Sequence, residues 1–109
     1  MAWTATHRYA RISERKARLA ADMIRGRACD EALAMLQFTH KRAKVFVDRV
    51  LRSAMANADE QKADVKRLFV REVRVDQGPI IKRFQPKDRG RAHPIQKRTC
   101  HITIGVEEG

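Results

Sequence analysis

Three prolines within sixteen residues, Pro79, Pro86 and Pro94, constrain this chain more than any other feature. Each removes a backbone donor and biases the residue before it towards extended geometry, so the segment from Gly78 to Arg98 cannot be helical. Nor can it be a core segment. Between Lys82 and Arg98 stand seven cations, Lys82, Arg83, Lys87, Arg89, Arg91, Lys97 and Arg98, against the single acid Asp88. That local charge of +6 in 17 residues is over half of the +11 carried by all 109. A small domain gains little by folding such a segment onto itself. The segment is built to meet something polyanionic.

The rest of the composition agrees. Twenty-four basic against thirteen acidic residues is the electrostatic footprint of a nucleic-acid partner. An anionic membrane surface is the competing explanation. Against it, no run of about 18 apolar residues is present, and the stretch Met1 to Arg8 lacks the apolar core of a signal peptide. The expectation is a cytoplasmic protein. Cys29 and Cys100 lack CxxC spacing and read as small buried hydrophobes in a reducing compartment, not as a disulfide. The length suits a single domain, residues 1–109, with one modest aliphatic core.

Around the proline-rich segment the periodicities are clear. Trp3, Ala5 and Tyr9 suggest a short strand to Arg11. Ser13 is placed to cap a helix over 14–25 that ends at Gly26, with Ala17, Ala20 and Ile24 as its apolar stripe and Ala21 beside it. Asp30 is the expected cap of a second helix, 31–38, and Thr39 that of a third, about 40–58. In the third, Ala43, Val47, Val50, Leu51, Ala54 and Ala58 follow helical spacing. Residues 59–64 form a polar connection. Val65 to Val75 reads as a strand whose phase shifts, which a bulge near Arg71 and Glu72 corrects. Cys100, Ile102, Ile104 and Val106 alternate with Thr99, His101, Thr103 and Gly105 as a final, half-buried strand.

The fold class is therefore α+β: strand, three helices and two strands, with helices packed on a small antiparallel sheet. The two later strands are most simply the arms of one long hairpin. Its extension, 78–98, turns near Asp88 to Arg91 and reaches roughly 30 Å at the extended rise per residue.

Catalytic readings are weak. His93, Cys100 and His101 invite a zinc site or a Cys-His pair, but neighbours on a strand point to opposite faces. Cys100 is expected in the core and His101 on the surface. No Gly-rich phosphate loop and no spaced carboxylate pair is present, so neither an enzyme nor any cofactor or metal is expected. Extended backbone bearing Lys and Arg can follow RNA phosphates, with Phe84 and His93 available to stack on unpaired bases. Ile80, Ile81 and Ile95 suit packing near the hairpin base.

Several blocks, in order and spacing, resemble a known family. They are Arg11-Ile12-Ser13-x-Arg15-Lys16-x-Arg18-Leu19, Ile24-Arg25-Gly26, Ala54-x-Ala56-Asn57-Ala58, Val75-Asp76-x-Gly78-Pro79, Lys82-Arg83, Arg89-Gly90-Arg91-Ala92 and Lys97-Arg98-Thr99-x-His101-Ile102-Thr103. Together they resemble bacterial large-subunit ribosomal protein twenty-two along nearly the whole chain. The resemblance implies a structural constituent of the large ribosomal subunit, located in the ribosome, that binds large-subunit ribosomal RNA and assists its assembly. It implies a hairpin that lines the nascent-peptide exit tunnel beside neighbouring large-subunit proteins and the nascent polypeptide. Carried onto this chain, the RNA-binding positions are Arg8, Arg11, Arg15, Lys16, Arg18 and Arg25 on the body, and Lys82, Arg83, Lys87, Arg89, Arg91, Lys97 and Arg98 on the hairpin. The tunnel-lining positions are Lys82, Arg83, Arg89, Gly90, Arg91 and Ala92. The chain departs from the family pattern in the basic residues of 62–67 and in Asp88 near the tip. The alternative reading is a free nucleic-acid-binding regulatory module using the same ribbon.

Overall fold

The stripes read from the sequence for the first and third helices are the buried faces of those helices. The computed structural model describes residues 2–39, 41–87 and 91–109, with side chains described outside 83–96. Helix α1 (Glu14–Ile24) buries Ala17, Ala20, Ala21 and Ile24, and α3 (Ala43–Glu60) buries all six of its expected stripe residues. Helix α2 (Cys29–Gln37) buries Cys29, Ala32 and Leu36, with Leu33 partly covered. Small alanines on α1 and α3 let these two helices approach each other and the sheet closely.

The helices pack on a three-stranded antiparallel sheet in the order β1-β5-β2, formed by β1 (Ala2–Ala10), β5 (Cys100–Glu108) and β2 (Leu68–Gln77). The last strand in sequence is central. Its alternating residues Cys100, Ile102, Ile104 and Val106 are fully buried, because the helices close over that face while β1 and β2 cover both of its edges. On β2 the register shifts between Val70 and Glu72, so Leu68, Val70, Val73 and Val75 all face the core. The phase change in the sequence is thus a bulge at the expected place. A second irregularity lies between His7 and Ala10 on β1, where Tyr9 takes φ 58°. There the Tyr9 N–H donates to His101 Nδ1 (3.1 Å) in place of a ladder bond.

Four local expectations are corrected. Ser13 does precede α1, but its hydroxyl makes no capping bond; its carbonyl accepts from the Ala17 N–H instead. Helix α2 starts earlier than expected, with Ala28 at the cap and Asp30 inside the first turn. The cause is tertiary. Gly26 and Arg27 exchange backbone bonds with Val70, and Ala28 bridges Phe69, so pairing with the β2 edge decides where the chain turns into helix. Thr39 does not cap α3: its hydroxyl donates back to the Met35 carbonyl (2.8 Å) and closes α2. Residues Val65–Arg67 form a single 3₁₀ turn, not strand, because Asp64 Oδ1 accepts from the Lys66 N–H.

Strands β3 (Ile81–Lys87) and β4 (Arg91–Lys97) pair antiparallel with each other, from Ile81 opposite Lys97 to Lys87 opposite Arg91. Among the described residues they form a sheet of their own. The expected tip residues Asp88, Arg89 and Gly90 lie outside the described residues, as do the side chains of Phe84, His93 and Ile95. The root of the pair is fixed by a latch. The Gly78 N–H donates to the Thr99 carbonyl (2.9 Å), and Thr99 Oγ1 donates to the Pro79 carbonyl (2.6 Å). Thr99 is 2% exposed.

Candidate nucleic-acid interface

Cations brought together from three separate stretches of sequence define the candidate site. Arg11 and Lys16 come from the β1–α1 junction, Lys41 and Arg42 from the entry to α3, and Lys97 and Arg98 from the end of β4. They surround a cleft of about 860 Å³ whose remaining lining residues are Ile12, Ser13, Leu19 and Ala43. No acid lines it.

Two helix beginnings open into the same space. Ser13 precedes α1 and Arg42 precedes α3, and neither provides a side-chain cap. The amides of a first helical turn carry partial positive charge. At α3 the first turn holds no acid, and Lys41, Arg42 and Lys44 add full positive charge there. Cations at that end are destabilising for the isolated chain. The Arg42 guanidinium lies 5.8 Å over the Phe46 ring, which helps hold it at the rim.

The sequence profile of the family described as "Ribosomal protein L22p/L17e" matches residues 5–107. The chain belongs to this ribosomal protein family. Among curated relatives, the "Large ribosomal subunit protein uL22" of Rubrobacter xylanophilus is 55% identical over 108 residues, covering 96% of this chain and 85% of that protein.

Set in this L22p/L17e chain, the residues expected to bind RNA separate into groups. Arg11, Lys16, Lys97 and Arg98 converge on the cleft. Arg8 and Arg15 are exposed on β1 and α1, and Lys82 is exposed at the start of β3. Arg83, Lys87 and Arg91 have backbone positions on β3 and β4, as does Ala92, which pairs with Pro86. Arg89 and Gly90 lie outside the described residues. Arg18 and Arg25 have intramolecular partners. Arg18 Nη2 donates to the Val75 carbonyl (3.0 Å) and pairs with Glu14. Arg25 Nη2 donates to the Val73 carbonyl (2.8 Å) while its Nη1 meets Asp22. Together with the backbone bonds of Gly26 and Arg27, these arginines cover the open edge of β2.

Lys41 and Arg42 were not singled out by the sequence as binding residues, because cations beside a helix stripe ordinarily form a solvated face. The signal that could have found them is the pairing of a cationic helix start with the absence of any first-turn acid.

Cys29, Cys100 and His101 have structural roles. Cys29 and Cys100 are free and buried. Burial, with the neighbouring Asp30 charge adding to it, pushes the Cys29 thiol up to about 11. The Cys100 thiol is also raised, first by burial and then by Glu14, with Arg18 opposing. Both are held as inert thiols. His101 is half-buried, accepts from Tyr9 and stacks edge-on against its ring at 4.9 Å. Among the described residues no group of three or more His, Cys, Asp or Glu is gathered to hold a metal ion, and no helix is long and apolar enough to cross a membrane.

Proposed function

We propose that this chain is a structural component of the large ribosomal subunit that binds large-subunit ribosomal RNA and assists its assembly. The cleft carries the reading: six cations converging from three segments, with no acid among the described lining residues, form a site for several phosphates. Family membership and the name of the curated relative support the ribosomal context. The β3–β4 hairpin, rooted at the edge of that cleft by the Thr99 latch, runs inward and lines the nascent-peptide exit tunnel. Lys82, Arg83, Arg89, Gly90, Arg91 and Ala92 are its tunnel-facing positions, beside neighbouring large-subunit proteins and the nascent polypeptide. The protein acts in the cytoplasmic ribosome by shape and charge, without catalysis.

Sedimentation of the tagged chain from cell extracts tests the assignment. It should migrate with the large subunit, and the combined substitution Lys16→Ala, Lys41→Ala and Lys97→Ala should release it as salt is raised. Recovery in ribosome-free fractions at low salt overturns the reading. The tunnel position has its own test. Ala92→Cys should crosslink to a cysteine-bearing stalled nascent chain, and a lack of crosslinking from every tunnel-facing position would remove that part.

A further inference from the structure

The proposed phosphate contacts use the cations of the cleft and leave its apolar lining unexplained. Leu19 is 52% exposed there, beside the nearly buried Ile12 and Ala43. A solitary exposed leucine on a convex surface is ordinary. This one stands in a concavity lined by six cations, which suits an occupant combining an apolar surface with several anionic groups. Phosphates alone meet only the cations. A paired RNA helix offers its phosphate ridge and base edges but keeps the faces of its bases stacked inside. An unpaired nucleotide offers both: an apolar base face and flanking phosphates on either side. The volume, about 860 Å³, lies within the roughly 300–1,000 Å³ range of pockets that enclose a small organic group.

We propose that the cleft takes a nucleotide turned out of its RNA helix, the base lying on Leu19 and Ile12 and the neighbouring phosphates held by the surrounding cations. The proposal rests on the reading of the cleft as a phosphate site and adds that it selects irregular, unpaired RNA over continuous duplex. The guanidinium planes of Arg11, Arg42 and Arg98 supply further flat surface at the rim. Ser13, whose hydroxyl makes no capping bond, provides a donor and acceptor beside the apolar lining.

The test uses the full chain and two RNA hairpins with the same stem, one fully paired and one carrying a single bulged 2-aminopurine. Affinity is read by anisotropy over a salt series, and the environment of the base by its own fluorescence. The bulged RNA should bind about tenfold more tightly through the apolar surface it buries, and its emission should change on binding. Leu19→Ser should abolish both the preference and the emission change while leaving affinity for the paired hairpin as it was. Leu19→Met should retain them. Equal affinity for the two hairpins with unchanged emission, both binding in a salt-dependent way, overturns this inference and leaves the phosphate reading standing. Equal weakening of both RNAs by Leu19→Ser also overturns it, since the leucine would then act through the fold. Binding of neither RNA, or binding indifferent to salt, removes the phosphate reading and this inference with it.

Discussion

At the scale of single residues, the decisive contact is between Gly78 and Thr99. A Cβ on residue 78 would stand 2.6 Å from Thr99 Oγ1 and 3.3 Å from the Thr99 backbone. The hydroxyl cannot simply rotate away, because it is already committed to the Pro79 carbonyl at 2.6 Å. Gly78→Ala is therefore expected to cost about 1–3 kcal/mol in urea unfolding. Thr99→Ala in the same chain should recover only part of that, since the backbone contact remains. A fully additive pair would mean the latch is not what Gly78 accommodates. The second residue-scale prediction concerns Cys29, whose thiol ordinarily titrates near 9.0 but is raised to about 11 by burial. The folded state then retains a proton that the unfolded state has lost. Stability is unaffected below pH 9 and declines as pH rises from 9 to 11. Wild type should lose stability over that window relative to Cys29→Ala; parallel pH profiles would show that the thiol is not protected.

At the scale of elements, what the sequence disclosed and what it withheld have one physical origin. Periodicity is a property of a single segment, so the stripes of α1 and α3, the alternation of β5 and the phase shift at Arg71 could all be read directly. Boundaries set by contacts between segments could not. Helix α2 begins where Ala28 leaves the edge of β2, and Thr39 bonds back to Met35, so neither Asp30 nor Thr39 performs the capping role its residue type suggests. The candidate site divides the same way. The basic hairpin was legible from composition, whereas the cleft exists only because the fold draws Lys41 and Arg42 beside Arg11 and Lys97. Arg18 and Arg25 show the converse: a basic motif on α1 whose side chains bond β2 carbonyls. The start of α3 carries a testable conflict between stability and binding. Replacing a cation with an acid at the positive end of a helix is favourable by roughly 0.5–1 kcal/mol. Lys41→Glu should accordingly raise the unfolding midpoint of the free protein while weakening its RNA binding. A loss of stability would show that Lys41 supports the fold and is not held there for an anion.

At the scale of the whole molecule, charge and shape are linked. The radius of gyration is 16.8 Å and the extents are 62 × 25 × 17 Å, against about 13 Å expected for a compact chain of this length. A charge of +11 confined to a sphere would repel itself strongly; spread along such a shape, its parts become independent. From the Ile81–Lys97 pair to the Lys87–Arg91 pair the strands run six residues, roughly 20 Å at the extended rise. That exceeds the screening length of about 8 Å at physiological salt. The cleft cations and those at the far end of the hairpin should therefore engage separate phosphates and release separate counterions. Neutralising Lys16, Lys41 and Arg42 to alanine should lower the magnitude of the salt slope for binding large-subunit RNA by about 2–3, and neutralising Lys87, Arg89 and Arg91 should do the same. The combined variant should lose about 4–6, the sum of the two. A combined loss no larger than either alone would mean that both groups meet the same phosphates, which requires RNA to fold the hairpin back towards the cleft.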